Sequence, residues 1–156
     1  MSSEIPNDRF TNELFDLLHE TFEDVQGIYL DKGTSLFETL ETVSAEQASR
    51  SVSAECASIA AQVEHVRFYL QVLERVIQKK PVGKIDWQES WQLEKVTPEE
   101  WEALKGRLRE AHESVLAVMK SHESWEGEDD IGGSLAILAH TAYHLGEIRQ
   151  ALCVVR

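Results

Sequence analysis

The chain has 156 residues, 42% hydrophobic and 28% charged, which is room for one domain with a real core and too little for two of ordinary size. With 15 basic against 28 acidic residues the net charge is −13, a surface that repels phosphate polyanions and anionic bilayers, so no nucleic-acid or membrane partner is expected. No apolar run approaches the roughly 20 residues of a bilayer span, and the opening MSSEIPNDRF has neither a basic n-region nor an apolar stretch of signal-peptide type, which points to the cytoplasm.

In chain order, a first helix is expected from about Asp8 to Leu30, with Phe10, Leu14, Leu17, Leu18 and Phe22 near helical spacing and Asn7 as its N-cap. Asp31 to Thr34 ends it with turn chemistry. In the following segment, Leu36 to Val52, Ser44 and Gln47 have the form of a capping box that opens a short helical piece. A second long helix, roughly Ser53 to Lys79, carries the stripe Ile59, Val63, Val66, Leu70, Leu73 and Ile77, with Pro81 and Gly83 to terminate it. Val82 to Val96, containing Trp87 and Trp91, reads as a structured connection folded over one end; aromatics so placed more often cap a core than line a pocket.

Helix three has the clearest start, Thr97-Pro98-Glu99-Glu100, with Thr at the N-cap, Pro at N1 and Glu at N3. Its stripe runs from Trp101 through Val118 to about His122. Trp125 to Asp130 is an acidic loop, and a last helix is expected from about Gly133 to Val154, with Asp130 or Ser134 as cap. Nothing of length alternates with period two, so the expected fold is all-α: a single domain over 1–156, a four-helix bundle with a structured connection between helices two and three. Cys56 and Cys153 show no CxxC spacing and read as two small, mostly buried residues.

The histidines carry the chemistry. His140 and His144 are four apart on the last helix and fall on its stripe Ile137, His140, His144, Ile148, Ala151, where apolar side chains would otherwise pack. A lone buried histidine is ordinarily structural. Two on one core-facing stripe each need a polar partner, and one metal ion supplies both. The spacing is that of the helical pair in H-E-x-x-H zinc proteins, but Thr141-Ala142-Tyr143 lacks the general-base glutamate, so a metalloprotease is not expected. A third ligand should come from a facing helix. His65, on a secondary stripe with Tyr69, Val72 and Val76, leads, with His19 second; His112 looks like a boundary residue and His122 lies at a helix end. Three imidazoles with open positions make a catalytic type of site, suited to Zn, Ni, Fe or Cu.

Three stretches carry a resemblance: Ser58 to Val66 (SIAAQVEHV), the Trp87 to Trp91 connection, and His140 to Gln150, which reads H-x-x-x-H-x-G-x-I-x-Q. With them the chain resembles the DinB/YfiT superfamily of bacterial four-helix metalloproteins over nearly its whole length, and the last string is the most specific part. The resemblance implies a metal triad at His65, His140 and His144, a divalent transition metal such as Zn, Ni or Fe, and a homodimer. It gives Gly146 a role in close helix approach. It also implies, loosely, a metal-dependent hydrolase or a transferase that uses a low-molecular-weight thiol.

Fold and triad serve different chemistries, so function rests on the pocket. One reading is an enzyme whose metal activates water or a thiol. The alternative is a non-catalytic, metal-stabilised dimer that binds a small ligand or responds to stress. No acid or base stands out beside the ligands, since Glu64 and Tyr143 are each set one residue aside from them and no catalytic residue is assigned.

Overall fold

The computed structural model describes residues 5–156, and among these every regular element is helical. In order they are α1 (Asn7–Phe22), α2 (Leu36–Glu41), α3 (Ala45–Ala48), α4 (Ile59–Ile77), α5 (Pro98–Lys120) and α6 (Asp130–Val155), with a 3-10 turn at Glu89–Trp91 before α5. Helix α4 lies against both α5 and α6; α1 lies against α6 and α2.

Side chains set most boundaries. Ser35, Ser44 and Thr97 each accept from the N3 amide, while Glu38, Gln47 and Glu100 accept from the three cap amides, so α2, α3 and α5 all start on complete capping boxes. Ser58 caps α4, so the stretch from Ser53, expected to be helical, lies outside the helix. The far end of α4 closes when Lys79 turns left-handed (φ 56°) and Lys80 N–H donates to Arg75 O. Pro6, not Asn7, precedes α1, and Asp130 begins α6 three residues earlier than expected.

The main departure is at the end of α1, which stops at Phe22 rather than Leu30. Glu20 is fully buried, and its carboxylate accepts from the amides of Gln26, Ile28, Tyr29 and Leu30 at 2.6–2.8 Å. Those donors can reach back only if the chain leaves the helix and wraps round. Burial alone would raise the Glu20 pKa; the four N–H donors outweigh it and bring it to about 2.

Phe22, Leu18, Ile59, Leu70, Trp101, Leu104 and Ile137 are among the side chains that fill the core. Trp101 is buried with its indole N–H satisfied by Val43 O at 2.8 Å. At Gly133 a Cβ would stand 3.2 Å from Ile77 Cγ1, so the missing side chain lets the start of α6 settle on the end of α4. This close approach helps to bring the two histidines of α6 against α4. Between Asp130 and Glu147 helix α6 has no charged residue, and Ile131, Leu135 and Tyr143 are exposed along it. No helix among the described residues is long and apolar enough to cross a membrane.

Candidate metal centre

His65 comes from the middle of α4, and His140 and His144 come from successive turns of α6. One ligand nitrogen from each lies within 4.8 Å of the other two. His65 and His144 are buried and His140 is partly so. The expected trio therefore converges. His19, the runner-up, lies elsewhere, lining a small cavity with His112.

The partners of the rings decide which nitrogens are free. Ser90 Oγ donates its one proton to Trp87 O (2.7 Å), so toward His65 Nδ1, also 2.7 Å away, it can only accept. His65 thus carries its proton on Nδ1 and presents the Nε2 lone pair. His144 Nδ1 faces two acceptors, Glu147 Oε2 at 3.1 Å and Gln62 Oε1 at 3.4 Å, and the same logic leaves its Nε2 bare. His140 Nε2 stands 3.1 Å from His65 Nε2, while its Nδ1 is buried with no hydrogen-bond partner among the described residues.

This donor set fits a metal ion. An ion with imidazole bonds of about 2.0–2.1 Å in tetrahedral array holds its nitrogens roughly 3.3 Å apart, close to the 3.1 Å between His65 and His140. Acceptors behind two of the rings are the usual means of fixing a ligating histidine. The group could hold a metal ion, and imidazole donors do not by themselves choose its identity.

Burial makes the rings poor bases. It is the largest cause at all three: His65 is lowered to about 4 and His140 to about 3, with mutual histidine repulsion adding to each. His144 is lowered as well, against the opposing pull of Glu147. Neutral imidazole is the ligating form, and burial favours it at neutral pH.

Aromatic rings wall the cluster. Trp91 stacks on His65 (centroids 3.9 Å apart, 19° between planes) and Tyr69 stacks on His140 (3.6 Å, 8°). The tryptophan connection is therefore part of the site rather than a cap on the core, and its 3-10 turn is what presents Ser90 to His65. Three residues that contact the rings lie outside the sequence expectations. Glu147 follows His144 by three and Gln62 precedes His65 by three, so helical spacing carried a signal for both; nothing local marked Ser90. Glu64 is tied to Arg67 and Tyr143 is exposed, as their positions beside the ligands implied.

Other expectations need correction. Cys56 and Cys153 are both exposed, because Cys56 sits in the non-helical stretch before α4 and Cys153 on the outer side of α6. His112 is buried rather than at a boundary. Among the described residues Gly146 makes no close helix approach, since a Cβ there would meet nothing within 4 Å. Arg149 reaches Thr39 Oγ1 at 3.1 Å, and Gln150 lines a cleft beside His144.

No protein-family model, curated protein or solved structure matches the chain.

Proposed function

We propose that His65, His140 and His144 hold a divalent transition metal and that the chain is a metal-dependent enzyme for small molecules, of the thiol-transferase or hydrolase type. The observation that carries this reading is the convergence of three imidazole nitrogens within 4.8 Å of one another, with Ser90 Oγ, Glu147 Oε2 and Gln62 Oε1 placed behind two of the rings. The resemblance of the His140 to Gln150 string to DinB/YfiT proteins supports it, and with it a four-helix bundle formed by α1, α4, α5 and α6.

Three neutral protein ligands leave coordination positions open, and a metal held there would lower the pKa of a bound water or thiol. The chain's own residues do the rest. Ser90 and Gln62 hold the imidazoles in register. Trp91 covers one face of His65 and keeps water from it. Glu147, half exposed at the cleft wall, is the nearest carboxylate to the ligands and the candidate proton acceptor.

A second reading, a non-catalytic metal-stabilised homodimer, draws on the exposed Ile131 and Leu135 of α6 and the open space over Gly146. Dimerisation is compatible with both readings.

Purification with metal retained, followed by elemental analysis, should show stoichiometric metal in the wild type and only background in His65→Ala. Undiminished metal in that variant would sink the triad. Glutathione, bacillithiol and mycothiol with a reactive electrophile, beside an ester and amide panel, should reveal turnover that His144→Ala abolishes. Absence of turnover, with the variant changing only the melting temperature, would favour the non-catalytic dimer.

A further inference from the structure

A cleft of about 680 Å³ opens beside the three histidines, with His144 in its wall. Its lining is chemically one-sided. Val52 and Val154 give it an apolar border, Trp91 and Tyr143 give it aromatic rings, and Glu55 and Glu147 are its charged groups. Among the described residues no lysine or arginine lines it. Arg50, whose guanidinium comes near the end of α6, is committed to Val155 O at 3.3 Å and to Glu46.

The two rings and one of the carboxylates gather on the same imidazole. Trp91 and Tyr143 have centroids 5.8 and 5.0 Å from that of His144, and Glu147 Oε2 lies 3.1 Å from its Nδ1. Glu55 approaches from a different element, the stretch before α4. An ammonium entering this space exchanges hydration for carboxylate oxygens and π faces. A carboxylate of the same size meets two like charges and no cation.

We infer that the cleft beside the histidines recognises an organic cation, an amine or quaternary ammonium on an apolar body, and discriminates against carboxylates. The inference rests on the metal-site reading only in naming the class of molecule that site would serve; the cleft itself belongs to the metal-free chain. Within the thiol panel this ranks carboxylate-bearing thiols, glutathione among them, behind aminothiols, and amine-bearing electrophiles ahead of anionic ones.

The test is calorimetric titration of chelator-treated protein, so that no bound dication biases the result. The probes are benzyltrimethylammonium, 3-phenylpropan-1-ol and 3-phenylpropionate, which share an apolar body and differ in charge. The ammonium should bind about tenfold or more tightly than the alcohol, with the carboxylate weakest. Raised ionic strength should narrow the gap.

Glu55 is exposed in a non-helical segment, so its replacement does not threaten the core. Glu55→Gln should weaken ammonium binding by roughly three- to tenfold, and Glu55→Lys should bring the carboxylate ahead. Equal affinity for ammonium and alcohol, a carboxylate preference in the wild type, or no binding of any probe would overturn the inference. Because metal content is measured separately, a failed triad and a failed cleft give different results.

Discussion

Two regions of this molecule bury histidines, and they differ in what surrounds the ring. At the α4–α6 contact His65, His140 and His144 face one another. On α5, His112 is 2% exposed, stacked on Phe22 at 4.1 Å and edge-on to Phe37. Its Nδ1 lies 3.3 Å from Glu23 Oε1, and among the described residues neither ring nitrogen makes a hydrogen bond. Burial lowers its pKa to about 4, against the pull of Glu23 and with help from Arg109, Lys120 and His19.

Low basicity and aromatic stacking are thus common to both regions. They are consequences of burial and say nothing of ligation. What separates the triad is convergence of three donors, together with acceptors that hold protons on the nitrogens facing away from the centre. Among the described residues no second group of three potential ligands converges in this way.

The largest effect that sharpens this contrast should come from Ser90→Ala. It removes an acceptor behind His65 while leaving all three histidines in place, and on the proposed metal site it should cost about 10- to 100-fold in metal affinity, read by competition with a chromogenic chelator. An unchanged affinity would mean that the tautomer of His65 is set by something else.

The opposite outcome is expected at His112. Phenylalanine there keeps the stack and deletes two unsatisfied buried nitrogens, so His112→Phe should raise stability by about 1 kcal/mol without altering metal content. The pH dependence gives an independent check. In the unfolded chain this imidazole takes up its proton near 6.5, in the folded chain near 4. The unfolded state therefore binds more protons between those values. Stability conferred by the neutral ring is intact above about 6.5 and falls as pH drops toward 4, by up to about 1.4 kcal/mol per pH unit for the one proton. Denaturant melts should show a shallower acid decline in the variant. An identical decline would show that Glu23 keeps His112 protonated in the folded protein.

Gly146→Ala should have the smallest effect and serves as the control for both regions. The added methyl enters open space on a helix, so stability should rise by about 0.5–1 kcal/mol. A loss instead, with a change in sedimentation, would place a second copy of the chain against that face of α6.

Periodicity and caps made much of this structure legible. The starts at Ser44 and Thr97 follow from side chains that satisfy amides within the same turn, and an i, i+4 pair of histidines on an apolar stripe demands a polar partner inside the core. What could not be read was long-range closure. Glu20 looks like any surface glutamate until four amides six to ten residues later fold onto it. Ser90 becomes a partner of His65 only because a 3-10 turn 25 residues downstream reaches it. The burial of His112 depends on Phe22 of α1 and Phe37 of α2 closing on its ring, which no local pattern of α5 announces.

The Glu20 clasp has a consequence for motion. Residues 23–30 contain no helix or strand, and such a segment would ordinarily exchange its amide hydrogens with solvent almost freely. Here the amides of Gln26, Ile28, Tyr29 and Leu30 are held by a fully buried acceptor and can exchange only when the end of α1 opens. Kinetically the loop is an extension of the helix it leaves. Since the four amide donors hold the Glu20 carboxylate well below the usual carboxylate range, mild acid should leave these amides protected.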